Sequence, residues 1–258
     1  MRVAALFDIH GNLSALDAVL SEVRASGADQ VVVGGDVVPG PFPRETLARL
    51  FALEWPVSFI HGNCELSILA QIEALDGGPV RYWGTVSGNP LPAVDQEVMR
   101  WTANLVKEDF APRFAAWPRT TRLEIQGIGA ALFCHGTPRS ETEVFTRLTS
   151  EAKLLPLFEG LGADLVVCGH THMQFDRQIG RTRVVNAGSV GMPFGSHGAY
   201  WALLGPGVEL RRTEYDVEAT ASRIRATDYP LAEQDAAALT HPAGEAEVLQ
   251  LFGGAELR

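Results

Sequence analysis

The chain has 258 residues, a formal charge of −10, seven histidines and three cysteines, which suggests one large domain, or one with an appendage. Its 46% apolar and 20% charged residues exclude a wholly disordered chain, and no apolar run reaches the roughly 18 residues of a membrane span. The acidic balance excludes a basic nucleic-acid groove, and three cysteines cannot close a disulfide framework, so a reducing, cytoplasmic setting is expected.

Residues 2–7 form a short apolar run, as in a buried parallel strand, and end at Asp8-Ile9-His10-Gly11-Asn12. The run starts almost at the N-terminus, so no secretory signal is expected. Leu13, Leu16, Val19, Leu20 and Val23 then recur at helical spacing until Ser26-Gly27. Residues 30–33 predict a second strand, ending at Gly34-Gly35-Asp36, and a helix over 44–53 follows a Pro-rich loop. Residues 57–60 predict a third strand, ending at Gly62-Asn63-Cys64-Glu65, with a helix to about 75. Three strand–loop–helix units imply an α/β fold with a parallel sheet.

Residues 76–92 show no period and read as a long loop, followed by a helix over 94–106. Strands at 122–126 and 130–134 flank Gly127-Ile128-Gly129, which predicts a hairpin, and the second ends at His135-Gly136. A helix over 150–161 precedes a strand at 164–168, which ends at Gly169-His170-Thr171-His172. Short strands follow at 174–179, 182–186, 199–204 and 208–214. A helix over 217–226 comes next, and the tail after Tyr229 predicts one further helical stretch near 243–252. Residues 214–258 hold nine acids and three arginines, so more than half of the net charge lies on this solvated tail.

The polar residues fall at one kind of place. Asp8, His10, Asp36, Asn63, His135, His170 and His172 all follow the C-terminal ends of predicted strands, where open α/β sheets bind ligands. Five segments thus bring two carboxylates, one amide and four imidazoles to one edge. Imidazole with carboxylate favours divalent Mn, Fe, Zn, Co or Ni over Ca or Mg. Seven ligands exceed one tetrahedral zinc site but suit two metals sharing a carboxylate, an arrangement that supports in-line displacement at phosphorus.

Asp8-x-His10-Gly-Asn, Gly35-Asp36, Gly62-Asn63-Cys64-Glu65, His135-Gly136 and Gly169-His170-Thr171-His172, in that order, resemble the motifs of the calcineurin-like metallophosphoesterases. They resemble in particular those of the small stand-alone bacterial and archaeal phosphodiesterase-type members. The resemblance implies an αββα sandwich of two mixed β-sheets flanked by helices. It covers about 1–215 as the catalytic domain, with 76–118 as a cap or insert and 216–258 as an acidic helical extension packed on the same domain. It implies that Asp8, His10, Asp36 and His172 hold one metal, and that Asp36, Asn63, His135 and His170 hold the other. The metals would be Mn, Fe, Zn or Ni, with Mn favoured. A hydroxide between the metals would attack phosphorus in line, so Asp36, Asn63 and His135 count as catalytic. The substrate would be a small phosphate ester, first of all a small or nucleotide-like diester; monoesters are the alternative, and a non-catalytic scaffold of the same fold is a third.

One position departs from the usual motif. Cys64 stands where most of the superfamily has a histidine that assists the leaving group, and a neutral thiol is a weak donor. Asn12 and Arg139 are candidate substrate contacts, although Asn12 also reads as the N-cap of the first helix and Arg139 as a solvated loop residue. The Asn186-Ala-Gly-Ser189 turn is expected to support the ligands without binding metal. His61 and His241 read as structural or surface residues, and His197 as exposed. Cys134 and Cys168 read as small buried apolar residues, and Trp83, Trp101 and Trp117 as packing residues.

Overall fold

The computed structural model describes residues 1–78 and 91–257. Trp83 and most of the 76–92 segment lie outside the described residues. Alternating apolar strands build two five-stranded sheets. The first has the order β10 (Val208–Thr213), β9 (Ala199–Leu204), β1 (Val3–Leu6), β2 (Gln30–Val33), β3 (Val57–Phe59). The second has the order β4 (Thr120–Ile125), β5 (Gly129–Cys134), β6 (Leu165–Cys168), β8 (Thr182–Asn186), β7 (Phe175–Ile179). The expected parallel pairing holds for β1, β2 and β3, and again for β5, β6 and β8. Antiparallel β9, β10, β4 and β7 make both sheets mixed. The predicted hairpin is the β4–β5 pair.

The period-2 geometry of a strand explains why the central strands β1, β5 and β6 carry no polar face. In β1, Val3 and Ala5 point between the sheets, where they meet Ala131, Phe133, Leu165 and Val167 of the second sheet. Ala4 and Leu6 point the other way, onto α1 (Leu13–Ser26) and α2 (Pro43–Phe51), through Leu16, Val19 and Leu47. On the far side of the second sheet, Leu132, Cys134, Val166 and Cys168 pack on Leu154, Leu157 and Phe158 of α6 (Glu151–Phe158). Cys134 and Cys168 are therefore core residues. The result is two helix layers around two sheets. Burial of each large apolar side chain contributes about 1.5–3 kcal/mol.

The remaining helices attach to this sandwich. α3 (Asn63–Leu75) and α4 (Ala93–Val106) join the α1 layer, and the single turn α5 (Ala111–Phe114) carries Phe114 into the same cluster. Trp117 stacks on Phe59 at 4.8 Å. The C-terminal region corrects the sequence reading. It holds α7 (Val217–Arg225), α8 (Ala232–Thr240) and α9 (Glu245–Gly253), two helices after Tyr229 where one was expected. α8 escapes a periodicity search because its apolar positions are mostly alanine and only Ala236 is buried. Its Ala, Glu and Gln content is a propensity signal for helix. α9 packs Val248, Leu249 and Phe252 on Val144 and Met173. Trp101 of α4 meets Tyr229 edge-on at 5.3 Å.

Among the described residues, no helix is long and apolar enough to cross a membrane.

Candidate metal centre

Parallel strands end at the same edge of each sheet, and backbone bonds lace the loops of that edge together. Asp8 N–H donates to Gly35 C=O (3.1 Å), His10 N–H to Asp36 C=O (3.0 Å) and Gly169 N–H to His135 C=O (2.9 Å). The two sheets are tied at the same level: Val190 N–H donates to Phe7 C=O (3.0 Å), and the Ser189 hydroxyl to Asp8 C=O (2.7 Å).

The loops turn too sharply for ordinary backbone. Asp8, His10, Asp36, His170 and His172 have φ of +53°, +45°, +49°, +66° and +58°. Among the described residues only Leu257 joins them as a non-glycine in this region. Such conformations cost about 1–3 kcal/mol each and persist where the surroundings over-determine them. Two glycines make the crowding feasible. A Cβ on Gly62 would lie 2.1 Å from Asp36 Oδ1, and one on Gly169 would lie 2.4 Å from Asp8 Oδ2.

All seven sequence-predicted ligands come together. His10 Nε2 lies 3.2 Å from His172 Nε2 and 4.0 Å from Asp36 Oδ2. His172 Nε2 lies 3.4 Å from Asp8 Oδ1. His135 Nε2 lies 3.1 Å from Asn63 Oδ1, 3.4 Å from Asp36 Oδ2 and 3.8 Å from Asp8 Oδ1. Donor atoms of Asp8, His10 and His172 form one tight group, and those of Asp36, His135 and His170 another; His10, Asp36 and Cys64 form a third.

The hydrogen bonds behind these groups decide which atoms remain free. His135 Nδ1 donates to Gly34 C=O (2.9 Å) and His172 Nδ1 to Met192 C=O (2.7 Å), which leaves the lone pair on Nε2 whenever either imidazole is neutral. His170 Nε2 donates to Thr142 C=O (3.2 Å), which frees Nδ1. Asp8 Oδ2 accepts from His170 N–H (2.9 Å), and Asp36 Oδ1 from Cys64 N–H (2.9 Å). Asp8 Oδ1 is buried with no hydrogen-bond partner. Lone pairs of imidazole, amide and carboxylate thus face one another across a buried space. That costs energy unless a cation sits between them, so the donor set fits divalent metal ions.

The electrostatics agree. Burial alone would lower the His135 pKa, but Asp36 and Asp8 outweigh it and lift it to about 10. Its proton stands where a cation would otherwise balance the carboxylates. Burial would raise Asp36, yet His135 holds it well below the usual carboxylate range, and Asp8 is lowered by His172 and His135 in the same way. His10 and His170 are pushed down to about 4, by burial first and then by His172 and His135 respectively. Burial, followed by Asp36, drives the Cys64 thiol well up, so it stays neutral.

Glu65 is the residue for which the sequence reading had no role. It is fully buried. Oε2 accepts from Asp36 N–H (2.9 Å) and Gly62 N–H (2.7 Å), while Oε1 accepts from Val37 N–H (2.8 Å) and Val38 N–H (3.4 Å). It clamps the β2 loop to the start of α3. Its place three residues after Gly62 is a capping-box position, a signal open to sequence reading. Burial and then Asp36 raise its pKa to about 7.

The other named residues are placed as follows. Asn12 caps α1 through Oδ1 (3.1 Å to Ala15 N–H), and its amide donates to Gly191 C=O and Tyr215 Oη. Arg139 is exposed and paired with Glu143 at 2.6 Å. Asn186 donates to Gly169 C=O (2.6 Å) and Thr171 Oγ1 (3.1 Å), which braces the His170–His172 loop. His61 faces Glu141 at 3.4 Å. His197 reaches Thr240 C=O at 2.9 Å, and His241 meets the Thr240 hydroxyl. Phe194 stacks on His172 at 5.3 Å, and Phe252 of α9 meets Phe194 edge-on at 6.2 Å.

The family model for the calcineurin-like phosphoesterase superfamily domain matches residues 1–205. The uncharacterized protein MJ0912 of Methanocaldococcus jannaschii is 24% identical over 242 residues, 86% of this chain and 91% of that protein. Among solved structures, hypothetical protein PH1004 of Pyrococcus horikoshii superposes with a TM-score of 0.75 at 20% identity, over 94% of this chain and 99% of that one. A metallophosphoesterase from Sphaerobacter thermophilus superposes with a TM-score of 0.70 at 25% identity, over 93% and 98%. The chain belongs to the calcineurin-like phosphoesterase superfamily, and is a hydrolase of phosphate esters that works with divalent metal ions.

Proposed function

Starting from that family, we propose that the protein hydrolyses small phosphodiesters with two divalent metal ions. Asp8, His10, Asp36 and His172 hold one; Asp36, Asn63, His135 and His170 hold the other, with Asp36 shared. The observation that carries this is the set of buried donor atoms turned inward, with Asp8, Asp36, His135, His170 and His172 each backed by a hydrogen bond on the far side. Bound metals supply Lewis-acid charge and make a water nucleophile available near neutral pH. Imidazole and carboxylate ligands of this kind suit Mn, Fe, Zn or Ni, of which Mn is the one favoured by the family resemblance.

The protein's own groups set the substrate. Two divalent ions less the charges of Asp8 and Asp36 leave about +2, which attracts a phosphate in an otherwise acidic protein. Asn63 contributes a neutral carbonyl oxygen, held toward His135 while its amide faces Cys64 Sγ (3.5 Å). The neutral thiol of Cys64 adds no positive charge beside Asp36, which suits a diester monoanion better than a monoester near two charges. A diester with a good leaving group also needs less proton assistance than an alkyl monoester. The free cysteines and acidic surface fit a cytoplasmic enzyme.

The test is a Mn²⁺-loaded preparation with metal content measured on the same sample. Aryl phosphodiesters should be hydrolysed with higher kcat/KM than the matching monoesters. A strong monoester preference overturns the diester assignment.

A further inference from the structure

A cavity of about 120 Å³ opens beside the proposed metal centre, with His10 and Asn12 in its wall. The 191–198 loop forms one side through Met192 and Phe194. The opposite side comes from the C-terminal helices, through Ile224 of α7, Leu239 of α8 and the Pro242-Ala243 turn. These lie beyond residue 205, where the family match ends, so this wall belongs to the extension and not to the matched domain.

The chemistry of the wall defines what fits. Most of the lining is aliphatic, aromatic or proline. A cavity of roughly 150 Å³ lined in that way holds a benzene ring, so this one suits a single ring or a branched alkyl group. The described lining has no lysine or arginine, and its one carboxyl is Asp235. An anionic chain such as a polyphosphate therefore finds no counter-charge. Asp235 is bonded to Tyr229, which rests on Trp101, and burial raises its pKa to about 6. The wall is also braced: His197 reaches the last turn of α8 at Thr240, and Gly195 N–H donates to Ala243 C=O at 2.9 Å.

We propose that the cavity between the 191–198 loop and helices α7–α8 is the subsite for the organic group of the substrate, and that it selects a neutral, ring-sized, mainly apolar substituent on the phosphate. This rests on the phosphodiesterase reading above and narrows it from small or nucleotide-like esters to small apolar ones. Specificity then lies in the C-terminal extension, while the metals act on the phosphate.

The experiment measures binding, so that it stands apart from turnover. Calorimetry on the metal-loaded protein compares phenylphosphonate, methylphosphonate and a nucleoside 5′-monophosphate. Phenylphosphonate should bind at least about tenfold more tightly than methylphosphonate, the gain expected for burying one ring. The nucleotide should bind no more tightly than phenylphosphonate. Ala238→Trp fills the cavity from α8, and Ala243→Phe fills it from the following turn; both positions are exposed, so neither needs a repacked core. In each variant with full metal content and an unchanged unfolding midpoint, the phenyl-to-methyl ratio should fall to about one. Equal affinities in the parent protein, a ratio unmoved by both fillings, or a nucleotide bound tenfold more tightly than phenylphosphonate each overturn the proposal. Absence of diester hydrolysis overturns the function proposed above, while the affinity ratio still decides the subsite.

Discussion

Replacing Glu65 by glutamine should cost most of the stability of the metal loops. The carboxylate accepts four backbone N–H groups, two on each oxygen, and is fully buried. Glutamine is nearly isosteric but keeps one acceptor oxygen. Its NH₂ group must then face two buried N–H donors. Each donor left without a partner costs about 1–3 kcal/mol, so the expected loss is about 2–6 kcal/mol. That is a large share of the roughly 5–15 kcal/mol that holds a typical domain. The donors at stake include Asp36 N–H and Gly62 N–H, which set the proposed shared ligand and the residue before Asn63. Metal content should therefore fall along with stability. Urea unfolding, metal analysis and kcat/KM on one preparation check this. A Glu65→Gln variant that unfolds within about 0.5 kcal/mol of the parent, with full metal and activity, refutes the clamp.

Three further outcomes follow from the same geometry. Asp36→Ala should remove bound metal and activity together, because both proposed sites lose a ligand; a variant with full occupancy and activity would falsify the bridging role. Metal affinity should rise with pH between about 6 and 8, since the metal-free His135, lifted to about 10, must release its proton before Nε2 can bind, at about tenfold per pH unit for one proton; flat titrations across that range would exclude it. Gly169→Ala puts a methyl group 2.4 Å from Asp8 Oδ2, so activity and metal content should drop at least tenfold while the far-UV spectrum stays that of the parent. Parental metal binding in that variant would show that the Asp8 loop can move aside.

The sequence by itself carried the ligand types and their placement at strand ends. Each such residue sits in a local motif: an apolar run, then a short loop in which a carboxylate, amide or imidazole stands beside or near glycine. Positive φ at Asp8, His10, Asp36, His170 and His172 lies outside that local code, since such backbone in a non-glycine residue persists only where the surrounding fold over-determines it. Periodicity also located the central strands, because burial on both faces leaves β1, β5 and β6 as runs with no polar residue, while β4, β7 and β10 keep a polar face toward solvent. It could not locate α8, whose alanine-rich surface leaves no stripe. Nor could it supply the partners that fix each imidazole, which lie far away in the chain: Gly34 for His135, Thr142 for His170 and Met192 for His172. The Gly34–His135 bond depends on how the two sheets pack face to face, a consequence of setting Val3, Ala5 and Phe7 against Phe133 and Val167, and the other two on how the loops of the second sheet fold over one another. The acidic tail changed meaning for the same reason. By composition it is a charged surface. Only folding turns Ile224 and Leu239 inward and sets them across from Phe194, beside the histidines.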